Sequence, residues 1–224
     1  MGTSHADQVA RQGNATQQST QKGGIAGLLR NLGALLPGAE ARAADAARLD
    51  AAHSLYLAAV ARARTAAFYA GMGVPDTENG RFEMIVLHLV VMVRALRQHG
   101  QAGKALAQEM IDVFIKDMDR SLREGGTGDL GVGKKVKQMA GCYHARSSVL
   151  EPLLNEARAG AMVPALASNL FELKDPSADD AAQVERLAEY LVSQDQATRA
   201  VPADDLLSGA LEILPFAPAA QAAS

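Results

Sequence analysis

The feature that most constrains the fold is a segment, residues 81–98, that would be apolar on nearly every side of a helix. Its apolar residues are Phe82, Ile85, Val86, Leu87, Leu89, Val90, Val91, Met92, Val93 and Leu96. A helix of this kind needs other elements around it, because no single face can be turned to water. The longest apolar run, 84–93, contains His88 and is well short of the roughly 20 residues that span a bilayer. The segment therefore predicts the central helix of a bundle.

Composition supports a helical fold. The hydrophobic content is 48%, aromatic residues make up 4%, and tryptophan is absent from the 224 residues. Alanine favours helix, whereas strands favour the aromatic and β-branched residues that are scarce here. A chain of this length can bury its own core. We expect an all-α fold, a single helical-bundle domain of about six to eight helices with flexible termini.

The two ends of the chain differ from its middle. Residues 1–24 are polar, lack the apolar stretch of a signal peptide and predict a disordered tail. Leucines at helical spacing predict a short amphipathic helix over 25–38, either packed on the domain or lying on a membrane surface. The helical domain is expected over 39–214, and a flexible tail over 215–224.

The middle divides at glycines and prolines. Residues 40–70 predict one long helix or two nearly collinear helices, and 71–80 predict a structured loop. Further helices are expected over 81–98, 104–124, 132–159, 163–173, 179–199 and 203–214.

Charge and cysteine content narrow the class of function. A net charge of -3 predicts no general attraction to nucleic acid. The single cysteine, Cys142, excludes an intrachain disulfide and fits a reducing compartment, so a cytoplasmic location is expected. His88 has no second ligand at helical spacing, which predicts a hydrogen-bonded core histidine. Asp117 and Asp119 diverge by about 200° around a helix and cannot chelate a metal together. No cofactor is expected.

A glycine loop follows the acidic and basic residues of the 104–124 helix. Gly128, Gly133 and Lys134 have the spacing of a phosphate-binding loop. Lys135, however, stands where such a loop needs Ser or Thr, and the preceding element is predicted to be a helix instead of a strand. We interpret the glycines as a tight connection between two helices.

Two groups of charges in this region need partners. Asp117 falls in the apolar arc of its helix, so its burial requires a cation or several donors. Our hypothesis is that Asp117 ties the helix to the 75–80 loop, through Arg81 or a backbone turn. Lys134, Lys135 and Lys137 crowd a helix start, where the macrodipole disfavours them. They pair with Glu124 or Asp129, or they form a basic patch for a partner protein or anionic headgroups.

The order of these blocks resembles the ubiquinol-cytochrome c chaperone family over roughly residues 51–150. The matching blocks are Val-Pro-Asp-Thr at 74–77, Gly-Arg-Phe at 80–82, and the charged and glycine segments at 117–124 and 126–139. The resemblance implies a non-catalytic helical chaperone that binds newly made cytochrome b and supports assembly of respiratory complex III. It also implies a ribosome or a small co-chaperone as a further partner, and a peripheral location on the inner face of the energy-transducing membrane.

The resemblance carries over a set of partner-binding residues. They are Asp76, Arg81, Asp117, Asp119, Arg120, Arg123, Glu124, Asp129, Lys134, Lys135, Lys137 and Arg146. The chain departs from the family pattern at His144, where an aromatic residue is usual, and at Thr127, where a valine is usual. These departures concern the detail of the partner contacts.

Two other functions stay open at this point. A helical metal-dependent or lipid-acting enzyme predicts a deep pocket with converging carboxylates. A peripheral lipid-binding protein would use the 25–38 helix and the lysines. The chaperone hypothesis instead predicts a partly exposed apolar surface beside the charged segment.

Overall fold

The computed structural model describes residues 38–174 and 177–211. These ranges contain helices and no strand, which confirms the all-α prediction. The predicted tails 1–24 and 215–224, and all but the last residue of the predicted helix 25–38, lie outside them. By compactness the chain forms two units, Met1–Ala46 and Ala47–Ser224. The domain limits 39 and 214 stay predictions.

Eight helices follow one another in the described ranges. They are α1 (Ala39–Ala63), α2 (Ala66–Gly71), α3 (Glu78–Arg97), α4 (Gly100–Glu124), α5 (Asp129–Asn155), α6 (Ala159–Asn169), α7 (Ala178–Arg199) and α8 (Ala203–Leu207). The Ala-rich segment therefore forms two helices, so the alternative of one long helix is wrong, and the near-collinear arrangement of the two stays a prediction. The helix predicted over 203–214 ends at Leu207, and the helix predicted over 163–173 lies at Ala159–Asn169.

Local interactions explain where other predicted boundaries were wrong. Helix α3 begins before residue 81 because the Thr77 hydroxyl accepts a hydrogen bond from the Gly80 amide at 3.0 Å, which caps the helix. Glycine was expected to break the chain before residue 104, yet Gly103 lies inside α4. A β-carbon on Gly103 would lie 2.0 Å from the Leu96 carbonyl oxygen, so this glycine lets α4 pack closely on the end of α3.

Helix α3 is the centre of the bundle, as its pattern predicted. Apolar residues are buried along nearly its whole length, and the helix packs against α4, α5 and α7. Three polar side chains are buried among them: Glu83, His88 and Arg94. Each of the three bonds to another helix, so each fixes how α3 is oriented in the bundle.

Arg94 joins three helices. Its Nε donates to Asp195 on α7 at 2.7 Å, and its Nη1 donates to the Asn155 side chain on α5 at 2.7 Å. The Asp195 side chain is only 1% exposed, and Arg199 approaches its other oxygen at 3.6 Å. A buried charge is tolerated when it is paired and hydrogen-bonded in this way.

Glu83 and His88 make the other two connections. Both oxygens of Glu83 accept hydrogen bonds from Arg146 on α5 at 2.8 Å. His88 Nδ1 lies 2.7 Å from the Met84 carbonyl, so it must donate, and Nε2 then accepts from the Tyr190 hydroxyl of α7 at 2.9 Å. The prediction of a hydrogen-bonded core histidine is confirmed.

Removing the carboxylate of Asp195 should destabilise the bundle strongly. Asp195→Ala leaves the Arg94 charge buried without its main partner, so we expect the free energy of unfolding to fall by about 3 kcal/mol in urea titrations. The double variant Arg94→Met, Asp195→Leu should lose less free energy of unfolding than Asp195→Ala alone, because it removes both charges. The control is Glu156→Ala, which breaks the exposed Arg158–Glu156 pair and should change stability by less than about 0.5 kcal/mol. Equal losses in Asp195→Ala and the control would contradict this account.

Protonation of His88 should weaken the fold in mild acid. Burial lowers the pKa of His88 from 6.5 to about 4, so the unfolded chain binds this proton more readily than the folded chain. The contribution of the neutral His88 ring to the free energy of unfolding is fully present above pH 6.5. It is lost as the pH falls towards 4, and the total loss is about 3 kcal/mol. His88→Gln should remove this part of the pH dependence in urea titrations at pH 7, 5.5 and 4. If His88→Gln and the wild type showed the same dependence of stability on pH, His88 would not be its source.

Candidate functional site

The predicted partner-binding residues fall mostly on one surface, which we call the charged surface. It consists of Asp117, Asp119, Arg120, Arg123 and Glu124 on α4 with Asp129, Lys134, Lys135 and Lys137 on α5. The surface forms because the buried face of α4 (Leu106, Met110, Val113 and Phe114) fixes the rotation of that helix. Gly126, at a φ of 80°, then turns the chain directly into α5. The glycine loop is therefore a helix connection, as predicted.

Asp117 is the most constrained member of this surface. The Tyr56 hydroxyl donates to Asp117 Oδ2 at 2.7 Å, and Arg120 donates to Oδ1 at 2.5 Å. The Asp117 side chain is 24% exposed, at the edge of the apolar face. Burial, and then the hydrogen bond to Asp117, raise the pKa of Tyr56 well above its usual value. The Tyr56 hydroxyl therefore stays protonated and joins α1 to α4.

The hypothesis that Asp117 binds the 75–80 loop is wrong. Arg81, its proposed partner, donates instead to Asp76 within that loop at 2.6 Å. This hydrogen bond lowers the pKa of Asp76, although both side chains are exposed. A β-carbon on Gly80 would lie 2.0 Å from the Pro75 carbonyl oxygen, so the loop backbone packs closely on the first turn of α3. Asp76 and Arg81 thus form a pair of their own.

Arg123 ties the end of α4 to the start of α5. It donates to Asp119 at 2.6 Å and to Asp129, the first residue of α5, at 2.6 Å. The bond from Arg123 lowers the pKa of Asp119. All three side chains are substantially exposed, so these pairs contribute little to stability. They connect the end of α4 to the first residue of α5 across the turn at Gly126.

The three lysines at the start of α5 are exposed. Within the described residues, none of them lies at ion-pair distance from a carboxylate, so the proposed pairing with Glu124 or Asp129 is wrong. Lys135 Nζ lies 3.4 Å from the Thr127 hydroxyl, while Asp129 is paired with Arg123 and Glu124 lies 4.0 Å from Arg120. The positive end of the α5 dipole adds to their charge. This end of α5 therefore presents positive charge to solvent.

Arg146 lies away from the charged surface. Its Nε and Nη2 are bonded to the buried Glu83, so its visible role is to join α5 to α3. A part in partner binding stays a prediction, and it would require this ion pair to open.

An apolar groove lies beside the charged surface, between α1 and α4. Its lining residues are His53, Tyr56, Leu57, Val113, Lys116, Asp117 and Arg120, and they enclose about 530 Å³, counting space open to solvent. Leu57 is 62% exposed and forms part of this lining. Elsewhere in the described residues, the other exposed large hydrophobic side chain is Val149, at 46%.

The sequence did not single out Leu57, because an Ala-rich helix gives little contrast between its faces. The sequence nevertheless indicates that Leu57 faces away from Leu55. The two leucines are two residues apart, which is about 200° around a helix, so they lie on opposite sides. Leu55 is fully buried and Leu57 is exposed. Leu57 thus adds apolar surface to the lining of the groove.

The described ranges contain neither a helix that could span a membrane nor a cluster of metal ligands. None of the helices there combines the length and apolar character needed to cross a bilayer. Histidine, cysteine and carboxylate side chains do not gather in groups of three or more suited to a metal ion within the same ranges.

Comparisons with known proteins agree with one another. Residues 70–213 match the family model described as ubiquinol-cytochrome C chaperone. The chain is 25% identical to ubiquinol-cytochrome-c reductase complex assembly factor 1 of Xenopus laevis over 158 residues, 70% of this chain and 76% of that protein. It is also 25% identical to the corresponding assembly factor of Mus musculus over 160 residues, which span about half (52%) of the mouse protein and 70% of this chain.

A solved structure is also similar. The crystal structure of the Cbp3 homolog from Brucella abortus matches with a TM-score of 0.65 and 33% sequence identity, covering 75% of this chain and 91% of that one. The similarity extends beyond the residues 51–150 in which the sequence motifs lie. It therefore concerns most of the helical bundle.

The Tyr56–Asp117 hydrogen bond should be measurable as a coupling between α1 and α4. Tyr56→Phe and Asp117→Asn should each lower the free energy of unfolding by about 1 kcal/mol, and the double variant should lose less than the sum of the two. Urea titrations of the four proteins give the coupling energy. Glu124→Gln, at a highly exposed position on the same helix, should be neutral and is the control. Additive losses would contradict a direct bond.

Proposed function

We propose that this chain, which belongs to the ubiquinol-cytochrome c chaperone family, binds newly made cytochrome b and releases it to the assembling ubiquinol-cytochrome c reductase. The family description gives the general role, a chaperone for this complex. The identity of the client and the surface that contacts it are our proposals. The client surface we propose is the apolar groove between α1 and α4 together with the adjoining charged surface.

Exposure of Leu57 is the observation that carries this proposal. The groove offers apolar contact mainly through Leu57, because Val113 and Tyr56 in its lining are each only 3% exposed. An unassembled membrane protein needs such contact outside the bilayer, because its apolar helices would otherwise aggregate. A helix laid in a groove is a common mode of recognition and uses side chains spaced three and four residues apart.

Charges at the rim would select and orient the client. Lys116 and Arg120 are on α4 at the edge of the groove, and the three lysines extend the positive charge along α5. Positive charge near an apolar groove favours a client whose apolar segment is flanked by acidic residues or by anionic headgroups. The Arg123 pairs beside this rim are exposed and weak, so charges of a client can replace them.

The proposed activity has no catalytic step, in keeping with the family's description as a chaperone. An enzyme would need several catalytic groups converging in one pocket. In the groove the carboxylate is that of Asp117, which is already bonded to Tyr56 and Arg120. Its geometry thus favours binding over catalysis.

The client also suggests where the protein acts. The proposed client is a newly made membrane protein, so we place the chaperone in the cytoplasm or on the inner face of the energy-transducing membrane. The lysines of α5 would contact anionic headgroups, the ribosome or a small co-chaperone there.

Leu57→Asp should abolish client capture without unfolding the chain. An aspartate at this exposed position has a small effect on stability, but binding would bury its charge in the apolar groove. We expect at least a tenfold loss of cytochrome b recovered with the tagged protein after mild crosslinking in its own cells.

The matched control is Val149→Asp, which introduces the same charge at the other exposed apolar residue. It should recover as much cytochrome b as the wild type. Equal loss in both variants would remove the groove from the proposal, and absence of cytochrome b from the wild-type capture would overturn the client assignment itself.

A further inference from the structure

The outward side of α5 carries positive charge that the fold does not use. Lys134, Lys135 and Lys137 are exposed, and in the described ranges no carboxylate lies at ion-pair distance from them. Residues 130–150 contain no aspartate or glutamate, so α5 itself cannot neutralise this charge along most of its length. We call this side the lysine face. Its exposed residues are Gly133, Lys134, Lys135, Lys137, Gln138, Gly141, His144, Ala145 and Ser148.

The lysine face is unfavourable for the helix that carries it. Lys134 and Lys137 are three residues apart, so their like charges repel each other on the same side of α5. Glycine inside a helix is also unfavourable. Packing does not require Gly133 or Gly141, because a β-carbon at either position would meet nothing from the rest of the fold within 4 Å. Contact with an external surface accounts for both features, since small residues leave the lysine ammonium groups outermost.

The residue types of this face discriminate among three kinds of anionic partner. Protein interfaces are depleted in lysine and enriched in aromatic residues and arginine. RNA is read largely by aromatic stacking and by arginine, but the lysine face contains no arginine and a single ring, His144, about two helical turns from Lys137. A membrane with anionic headgroups requires neither, because clustered lysines attract it as point charges. The lysine face therefore fits a lipid surface best.

We infer that the lysine face adsorbs on membranes that contain anionic lipids. The contact is electrostatic and without insertion, because the face has no large apolar side chain to enter the bilayer. Each lysine near such a surface strengthens binding by about fivefold, so the three together give about 100-fold. A contact of this strength is reversible.

Adsorption would also place the client groove. The lysines belong to the charged surface, which adjoins that groove, so a membrane against them would lie close to the site proposed for the client. This consequence rests on the proposed function. The lipid contact itself needs no client and can be measured with the purified chain.

Vesicle flotation with the full chain tests the inference. One set of vesicles consists of phosphatidylcholine alone, and the other also contains phosphatidylglycerol. We expect binding to the anionic vesicles to be at least tenfold tighter, and to be lost at about 1 M salt, where the screening length falls to about 3 Å. Equal binding to the two sets of vesicles, or anionic binding that salt does not weaken, would overturn the inference.

Two triple variants with the same net charge assign the contact to the lysine face. Changing its three lysines to glutamine should weaken binding to the anionic vesicles at least tenfold. The control should bind as the wild type does, because it removes three exposed positive charges outside α5: Lys104→Gln, Lys174→Gln and Arg186→Gln. Equal loss in both variants would show that net charge, and not the lysine face, governs binding.

Two further readouts keep the result specific. The melting temperature of the lysine-face variant should equal or exceed that of the wild type, because the variant relieves like-charge repulsion, so lost binding would not reflect unfolding. A structured RNA that bound more tightly than the anionic vesicles, and lost binding in the same variant, would assign the face to nucleic acid and overturn the inference. Vesicle binding in a protein that captures no cytochrome b would leave the lipid contact standing and remove only the client.

Discussion

The ion pair between Arg94 and Asp195 is the interaction on which the rest of the structure depends. Helix α3 is apolar on nearly all sides, and apolar contact alone does not select one rotation of a helix within a bundle. Arg94 selects it, because its guanidinium must reach Asp195 on α7 and Asn155 on α5 at once. Glu83 and His88 also restrict the rotation of α3, through their bonds to Arg146 on α5 and Tyr190 on α7. We infer that these polar contacts give the bundle one arrangement, while the apolar contacts give it most of its stability.

The position of the proposed binding surface follows from that arrangement. Gly103 brings α4 close to the end of α3, and α4 then buries its apolar face and turns Asp119, Arg120 and Arg123 outward. The Tyr56–Asp117 hydrogen bond holds α1 beside α4, and Leu57 on α1 is exposed next to it. The exposed charge pairs contribute little to stability, so a partner can replace them without unfolding the bundle. A rigid groove with an adaptable charged rim suits a chaperone that must also release its client.

Much of this could be predicted from the sequence, and the failures have a common cause. The pattern of residues 81–98 and the isolation of His88 were sufficient to predict a central helix with a bonded histidine. The partners of Arg94 and Glu83 could not be predicted, because Asp195 and Arg146 lie 101 and 63 positions away. Asp117 was correctly identified as a carboxylate in need of a partner, but Tyr56, 61 positions earlier, was not foreseen as that partner. Periodicity identifies which side chains need a partner, and only the tertiary fold identifies the partner.

The measurement that tests the central claim most directly is site-specific photo-crosslinking in the protein's own cells. A photo-reactive amino acid would replace Leu57 in one strain and Val149 in another, and newly made proteins would be labelled in a short pulse. The account predicts that cytochrome b crosslinks at position 57, fades during the chase as the complex assembles, and does not crosslink at position 149. Crosslinking of cytochrome b at position 149 and not at position 57 would contradict the account.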